Sequence, residues 1–182
     1  CFPNCRTAAK ALERIYAQQK SWEKLVDLIK NEAELTSEPR IKGGLLRHQA
    51  QILDEELDCE DEAIAIYESA LKLNIHDGVS RRYLLEYYRS QDNWDEVLRI
   101  LNIELQAGGT MGAPWLTQFW MGRIELYRLH NESNALKWFG KAFELNPGNP
   151  IIFSTWLSLS LRFGVLSSRY KGLSDQRFLG CR

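Results

Sequence analysis

Three histidines, His48, His76 and His130, are the side chains in this sequence best suited to acid–base chemistry near neutral pH. Catalysis requires groups that converge, such as a nucleophile beside a base, paired carboxylates or a metal cluster. The three histidines fall on different predicted helices or turns, and none lies in a GxSxG, HExxH or glycine-rich phosphate motif. The sequence therefore predicts surface or turn histidines in a protein that is not an enzyme.

Metal binding is the second kind of chemistry to consider. The acidic runs 54–56 and 60–62 lack the loop spacing of a calcium site and are typical of a solvated edge. The cysteines show no CxxC pairing and have no histidine at metal-ligand spacing: Cys1, Cys5, Cys59 and Cys181. We expect reduced thiols, no metal and no cofactor. A disulfide or zinc site is the alternative, because two of the four cysteines lie close together at the N-terminus.

The elements that position all these side chains form an internal repeat. The segment Glu60–Gly78 has the pattern of an amphipathic helix, with small residues at Ala63 and Ala70 and an aromatic residue at Tyr67. The pattern recurs 72 residues later, at Ala135, Phe139 and Ala142. The same shift, without a gap, places Leu12, Tyr16, Gln19, Trp22 and Glu32 on Leu84, Tyr88, Gln91, Trp94 and Glu104. A repeat of about 34 residues, each a pair of helices, is the resulting prediction.

The periodicity of apolar residues predicts nine helices. They cover Thr7–Gln19, Trp22 to about Thr36, Arg40–Leu57, Glu60 up to Gly78, Val79–Gln91, a helix carrying Val97 to Leu105, Trp115–Leu129, Glu132–Asn146 and Ile151 to about Phe163.

Several local signals place the ends of these helices. Ser21 is predicted to cap the second helix, Gly78 to end the fourth, and Asn93 with Glu96 to form a capping box for the sixth. Gly43-Gly44 predicts either close approach to the preceding helix or a late helix start at Leu45. The segment 108–114 is predicted to be a flexible joint inside the array.

Composition excludes several classes of protein. A hydrophobic content of 45% with 26% charged residues is typical of a globular chain. A net charge of −1 gives no overall attraction for nucleic acid or a membrane surface. The longest apolar run, 151–166, is interrupted by serines and Arg162 and is shorter than the roughly 20 residues of a membrane span. It is therefore predicted to be a packing helix, and no membrane insertion is expected.

The residues Ala63, Tyr67 and Ala70 are similar to the second-helix signature of the tetratricopeptide repeat, in which small residues let two helices approach within about 8–10 Å. The resemblance implies an all-α fold, a right-handed α-solenoid of antiparallel helix pairs, with about four units and a terminal helix. It covers residues 7–163 and is weaker in units one and three, where Leu25 and Val97 replace the alanine.

The first helices resemble the family less. The small residue expected in mid-helix is present as Ala50 and Gly122, but the tryptophan-leucine-glycine-tyrosine pattern is nowhere complete. A half-repeat relative of RNA-processing factors, acting as an RNA or protein scaffold, therefore stays open.

Three regions follow from the alignment of the repeats. Residues 1–6 are predicted to be the end of a preceding repeat, because the same shift places Pro3 on Pro147, where a second helix stops. Residues 7–166 form the solenoid, and residues 167–182, which lack a second-helix stripe, form an irregular tail. We expect a fragment of a longer, bacterial-type array. A cytoplasmic location is the expectation, and the predicted truncation at the N-terminus leaves a signal segment open as the alternative.

Family members hold a peptide or a helix in the concave face that the first helices line, so the resemblance implies an interaction scaffold with a protein or peptide partner. The positions carried over are Lys10, Arg14, Arg47, Gln51, Arg82, Glu86, Arg89, Phe119 and Arg123. Six of these nine are basic, and rows of guanidinium groups favour carboxylates, so an acidic peptide is one hypothesis. The alternative is that the arginines keep the face soluble and pair with Glu13, Glu55 or Glu86.

Other partners are less favoured by the residues. The carboxylate clamp for chaperone tails is not expected, because Arg14 and His48 stand where the resemblance requires asparagine. Single-stranded RNA requires aromatic rings among the basic residues. The candidates Tyr83 and Phe119 suit helix packing better, so nucleic acid is not the expected partner. Self-association through the ends of the solenoid is a further alternative, favoured by the apolar helix 151–163.

Overall fold

A computed structural model describes residues 3–108 and 112–162, with side chains from residue 8, and every regular element in these ranges is α-helical. The helices are α1 Pro3–Gln18, α2 Trp22–Leu35, α3 Pro39–Glu55, α4 Glu60–Leu73, α5 Gly78–Ser90, α6 Trp94–Gln106, α7 Pro114–Tyr127, α8 Glu132–Leu145 and α9 Pro150–Arg162. The all-α class predicted from the sequence is confirmed. The predicted tail, 167–182, lies outside the described residues.

Two first helices begin earlier than predicted because proline starts them. Helix α1 begins at Pro3 instead of Thr7, and α3 begins at Pro39. Proline suits the first turn, where its missing N–H has no helical partner to lose. The late start of α3 at Leu45 is therefore wrong, and both glycines lie inside the helix.

Close backbone approach explains one of these two glycines. A Cβ placed on Gly43 would lie 3.4 Å from the carbonyl oxygen of Ala70, whereas a Cβ on Gly44 would meet nothing within 4 Å. The neighbour is α4, the helix that follows α3, and not the preceding helix that the sequence suggested. Gly43 thus marks where α3 and α4 approach each other within their hairpin.

The predicted caps are only partly correct. The Asn93 side chain accepts a hydrogen bond from the backbone N–H of Glu96 at 3.4 Å, which confirms the asparagine half of the predicted capping box. The other half is not formed, because the Asn93 N–H donates to the carbonyl oxygen of Tyr88 and the Glu96 carboxylate pairs with Arg99. Ser21 makes no side-chain cap to α2. Its carbonyl oxygen instead accepts from the N–H of Leu25 at 3.1 Å, so the backbone alone begins this helix.

The junction between α4 and α5 also differs from the prediction. Helix α4 ends at Leu73, and Gly78 is the first residue of α5. Asp77 caps α5, since its carboxylate accepts from the N–H of Val79 at 3.2 Å. Aspartate is among the preferred residues at this position, so the Asp-Gly pair marks the start of a helix and not the end of one.

The repeat is visible in the backbone as well as in the sequence. One non-glycine residue in each hairpin adopts a left-handed conformation two residues before the second helix: Lys20 (φ 52°), Asp58 (φ 53°), Asp92 (φ 52°) and His130 (φ 54°). These four residues have the same spacing as the predicted helix starts at 22, 60, 94 and 132, all of which are confirmed. Each hairpin is therefore closed by the same turn, so the predicted repeat is a repeat of structure.

The helices divide into two compact units, Cys1–Ala107 and Gly108–Arg182. They separate at the glycine-rich segment that the sequence predicted to be a joint inside one array. Within the first unit, each helix from α1 to α6 packs against the next, and within the second α7 packs against α8 and α8 against α9. Each element buries its apolar face against its chain neighbours, which is the packing of a helical repeat.

The small and aromatic residues of the second helices form the cores. Ala63, Tyr67 and Ala70 are buried in the first unit. Ala135, Phe139 and Ala142 are buried at the equivalent positions of the second unit, where Phe143, Ile152 and Trp156 join them. Leu25 and Val97, which replace the alanine, are buried too. The pattern that suggested the family thus has the packing role predicted for it.

The apolar residues of α1 recur at the three-and-four spacing that predicts a buried stripe, but most of them are exposed. Ala8, Ala11, Leu12 and Ile15 are exposed, and Tyr16 is the stripe residue that packs on the cluster formed by α2 and α3. The equivalent of Leu12 in the repeat, Leu84, is fully buried because α5 packs against both α4 and α6. Helix α1 packs against α2, so apolar side chains at positions that α5 buries are exposed on α1.

Within the described residues, no helix is both long enough and apolar enough to cross a bilayer.

Candidate functional site

The residues predicted to bind a partner lie on the first helices of the hairpins, but they differ in exposure. Lys10, Arg14, Arg82, Glu86, Arg89 and Arg123 are exposed, whereas Arg47, Gln51 and Phe119 are half-buried. Phe119 and Arg123 belong to the second compact unit and the other seven to the first. The predicted residues of the first unit therefore lie on α1, α3 and α5, of which α3 and α5 are linked by side-chain contacts, and those of the second unit lie on α7.

Arg47 forms an ion pair within the first unit. Its Nη1 lies 3.2 Å from Oδ1 of Asp77, the buried cap of α5. The other carboxylate oxygen of Asp77 accepts from the Ser80 hydroxyl at 2.9 Å. The ion pair thus ties α3 to the start of α5, and its acidic partner is Asp77 instead of the Glu55 considered from the sequence.

A second link between α3 and α5 involves Tyr83. Its hydroxyl donates to Oδ1 of Asp54 at 2.6 Å, and its ring stacks on Tyr67 with the centroids 4.3 Å apart. With the Arg47–Asp77 pair, this bond places the outer faces of α3 and α5 side by side. Tyr83 is therefore engaged in packing, as the sequence suggested, and is not free to stack on a nucleotide base.

These contacts raise the pKa values of the tyrosines. Burial and the charges of Asp54 and Glu55 raise the pKa of Tyr67 to about 12. Burial, the charge of Glu68 and a hydrogen bond to its carboxylate raise the pKa of Tyr88 to about 12. Burial and the bond to Asp54 raise the pKa of Tyr83 as well. In each case the environment favours the neutral phenol.

We expect an alkaline titration of the folded chain to show late tyrosine ionisation. Because the folded pKa exceeds the ordinary value of about 10, the stabilisation is fully present below pH 10 and is lost as pH rises through about 12. Near-ultraviolet tyrosinate absorbance measures this, and Tyr83→Phe should remove one late-titrating group. The urea-unfolded chain is the control, in which all seven tyrosines ionise together. A single folded transition near pH 10 contradicts the expectation.

The cations of the first unit differ in whether they are paired. Arg47, Arg81 and Arg99 are paired with carboxylates, the last with both Glu68 and Glu96. Within the described part of the chain, no ion pair involves the exposed group Lys10, Arg14, Arg82 and Arg89. The predicted alternative, in which arginines of this face pair with Glu13, Glu55 or Glu86, is not seen among these residues. The exposed group therefore keeps its attraction for an external carboxylate.

Sequence reasoning missed the most buried charges of the chain. Arg81 and Glu104 are 0% and 1% exposed, and Arg81 Nε lies 2.7 Å from Glu104 Oε2. Arg81 also donates to the carbonyl oxygen of Ile75. A signal was present, because Arg81 falls on the stripe that continues with the buried Leu84 and Leu85. The pair joins α5 to α6 and so fixes which side of α5 faces outward.

Two of the exposed side chains on α7 are aromatic. Trp120 is 48% and Tyr127 60% exposed. The guanidinium carbon of Arg123 lies 4.9 Å from the Trp120 ring centroid and 5.9 Å from that of Tyr127. Phe119, the aromatic residue predicted for this surface, instead packs against Phe139 in the core, with the two ring centroids 5.4 Å apart. The available signal was the composition of α7, which is apolar on more sides than one buried stripe requires.

A groove of about 330 Å³ lies beside this surface, where α7 and α9 flank α8. Its lining includes Leu126, Tyr127, Thr155, Ser158, Leu159 and Arg162. Arg162 pairs with Glu132 at 3.0 Å. The hydroxyls of Thr155 and Ser158 donate to backbone oxygens of their own helix at 2.7 and 3.0 Å, so their oxygen atoms remain available as acceptors.

The side chains that suggested chemistry are dispersed. His48, His76 and His130 are exposed and lie on α3 and in two different turns. Cys59 is a free thiol whose Sγ is 3.4 Å from the carbonyl oxygen of Leu57. Across residues 3–108 and 112–162, no group of three histidine, cysteine, aspartate or glutamate side chains is placed to hold a metal ion.

Neither a family model nor a curated protein matches this chain. Among solved structures, it is similar to "MamA RS-1 ArsTM double mutant", with 13% identity, a TM-score of 0.47 and coverage of 87% of this chain and 84% of that one. The chain is also similar to "Crystal structure of MamA protein", with 10% identity, a TM-score of 0.46 and coverage of 87% of this chain and 82% of that one. For "Functional Characterization of Pseudomonas Aeruginosa pilF" the identity is 17%, the TM-score is 0.41, and the coverage is 87% of this chain and 69% of that one.

Likeness at these scores decides nothing by itself, and the fold rests on the chain's own turns and helix packing. Those features define a tetratricopeptide-like helical repeat.

Proposed function

We propose that this chain is a protein–protein interaction scaffold that binds a peptide or helical segment of a partner on the outer faces of its first helices. The supporting observation is the division of cations in the first unit. Some are paired inside it, while Lys10, Arg14, Arg82 and Arg89 are exposed on α1 and α5 without an ion pair in the described residues. The helix backbone that carries these cations is already ordered, so binding an external anion costs the order of the side chains alone.

The proposed partner carries carboxylates. The whole chain has a net charge of −1, so the basic character of this surface is local. Arginine can bind a carboxylate through two parallel hydrogen bonds. Glu86 lies between Arg82 and Arg89 on the same stripe of α5 and repels an unbroken acidic run. A partner with spaced acidic residues therefore fits better than a polyacidic one.

The proposal treats the chain as a binding protein without catalytic activity, and it favours protein over RNA. Both aromatic residues considered for base stacking on the predicted surface, Tyr83 and Phe119, are engaged in packing. Base stacking requires exposed rings beside the cations. The basic surface on α1 and α5 has cations but lacks those two rings.

Charge reversal tests the proposal. The double variant Arg82→Glu with Arg89→Glu is compared with the wild type for binding to an acidic and a basic peptide pool, at low and high salt. We expect the wild type to prefer the acidic pool and the variant to bind it about tenfold more weakly, since each exposed pair contributes about 0.2–1 kcal/mol. Salt should reduce the preference.

The matched control is Lys24→Glu with Lys72→Glu, which changes the net charge equally on the exposed surface of the second helices α2 and α4. Exposed apolar residues on α1 and α9 favour association of copies, so the mass of each sample is checked by light scattering. Equal binding of the two pools by the wild type contradicts the proposed acidic partner. An equal loss in the control shows that only overall charge matters.

A further inference from the structure

The exposed side of α7 carries side chains that its own packing does not use. We call Leu116, Trp120, Arg123 and Tyr127 the α7 face. Their spacing of four, three and four residues places them along one side of the helix. The opposite side buries Thr117, Met121, Gly122 and Glu125. Three large apolar side chains thus remain in solvent in a row, which is typical of an interaction surface.

Arg123 is held in place by the rings on either side of it along the helix. Its guanidinium lies 4.9 and 5.9 Å from the two ring centroids, within the range of cation–π attraction. Stacking uses the faces of the guanidinium plane and leaves its N–H groups at the edge. Across the described residues, no carboxylate pairs with Arg123. The α7 face therefore presents an oriented donor between two apolar surfaces.

The groove between α7 and α9 extends this surface. Tyr127 belongs to both, and beyond it lie Leu126 and Leu159 with the hydroxyl oxygens of Thr155 and Ser158. Arg162 is paired here with Glu132, which also lines the groove, so the charges at this end are balanced and Arg123 is the cation that lacks an ion pair among the described residues. A ligand lying along α7 would meet apolar side chains around one positive charge.

The dimensions and chemistry of the surface favour a helical ligand. From Leu116 to Tyr127 the face spans eleven residues, which is about 16 Å at 1.5 Å per residue, or three turns. The backbone N–H and C=O groups of α7 are bonded within the helix, so an extended peptide could not pair with them as it does with a sheet edge. A helix satisfies its own backbone and presents side chains at i, i+4 and i+7 along one line.

We propose that the α7 face binds an amphipathic helix of about three turns, with apolar side chains against Leu116, Trp120 and Tyr127 and a carboxylate opposite Arg123. This rests on the proposed scaffold function and names the class of partner for the second compact unit. Tryptophan, tyrosine and arginine are the residues that most often dominate binding energy at interfaces. Trp120 is the central anchor of the face.

Selection with the full chain tests this proposal. A displayed library of 16-residue peptides of random sequence is selected on the wild type, and enriched peptides are synthesised and titrated against variants. We expect enriched peptides that gain helicity on binding, carry apolar residues at i, i+4 and i+7, and include an acidic residue. Trp120→Ala should weaken their binding at least about 30-fold, as for a strong interface residue. Arg123→Glu should weaken it more than Arg123→Lys.

Trp138→Ala is the matched control, because Trp138 lies on α8 beside Lys141 and outside the α7 face. It should leave binding within about twofold, and circular dichroism checks that each variant keeps its helix content. Peptides that depend on Arg82 and Arg89 but not on Trp120 overturn this inference and leave the scaffold function standing. Enrichment of no peptide overturns both. Trp120-dependent binding of single-stranded oligouridylate, with no helical peptide, assigns the face to nucleic acid instead.

Discussion

Replacing Glu104 with glutamine should lower the free energy of unfolding of the first unit by about 3–5 kcal/mol. The substitution keeps the volume of the side chain and removes its charge. Arg81, whose side chain is 0% exposed, then loses the carboxylate oxygen that lies 2.7 Å from its Nε. Removing one member of a buried ion pair is strongly destabilising, because the other charge stays in a site shielded from water. Urea unfolding followed by circular dichroism measures the loss, and hydrogen exchange of the α5 and α6 amides locates it.

Two further variants identify the cause. Glu23→Gln makes the same chemical change on the exposed side of α2 and should alter stability by no more than about 0.5 kcal/mol. The double variant Arg81→Met with Glu104→Leu removes both charges and should recover most of the loss, because a buried ion pair can be replaced by apolar residues of similar volume. A double variant as unstable as Glu104→Gln alone means that altered packing, and not the loss of the Arg81–Glu104 ion pair, causes the destabilisation.

This ion pair has a consequence for the basic surface. Arg81 and Arg82 are consecutive and therefore point about 100° apart around α5. Fixing Arg81 against Glu104 turns Arg82, Glu86 and Arg89 outward. Glu104→Gln should therefore weaken binding of the acidic peptide pool only under conditions in which hydrogen exchange shows α5 opening.

Replacing Phe139 with alanine should destabilise the second unit by about 3–5 kcal/mol. The ring is 0% exposed and packs among Ala135, Ala142 and Phe119. Its removal leaves a cavity between α7, α8 and α9 that the helix backbones close only in part. Hydrogen exchange of the α7–α9 amides reports this loss, and the amides of α2–α4 serve as the internal reference. Unchanged exchange in α7–α9 would show that Phe139 is not central to this core.

Gly122 tests the same contact from the other side. A Cβ at Gly122 would lie 2.7 Å from Cε1 of the Phe139 ring, so Gly122→Ala should cost about 1–3 kcal/mol by overpacking. Combining it with Phe139→Leu should reduce that cost, since the smaller side chain vacates the space. Gly44→Ala is the control, because nothing lies within 4 Å of a Cβ there and alanine is the better helix former. It should stabilise α3 by up to about 1 kcal/mol.

The helices could be predicted better than their ends. The starts of α2, α4, α6 and α8 follow directly from the repeated pattern. The end of α4 was wrong because Gly78 belongs to the start of α5, where Asp77 is the cap and its side chain also bonds Arg47 from another helix. By local sequence alone, Asp-Gly is compatible with the end of one helix or with the start of the next. The contact between Asp77 and Arg47 of α3 accompanies the second arrangement.

The binding residues were harder to predict. Of the nine carried over from the family, Arg47 forms an ion pair with Asp77 and Phe119 packs in the core, while the exposed Trp120 and Tyr127 on α7 are not among the nine. Family positions identify the first helices of the hairpins, but exposure at one position depends on which neighbour covers it. Leu12 and Leu84 show this, since equivalent residues of one repeat have opposite exposure.

The sequence by itself determined the repeat of helix pairs, because small and aromatic residues at helical spacing allow only one side of each helix to pack closely. Tertiary structure alone decided which charged side chains are buried in ion pairs and which face solvent. Arg81 and Arg82 are chemically identical neighbours, yet one is buried against Glu104 and the other faces solvent. That difference arises from a contact between two helices, which brings together side chains far apart in the chain and removes one of them from water.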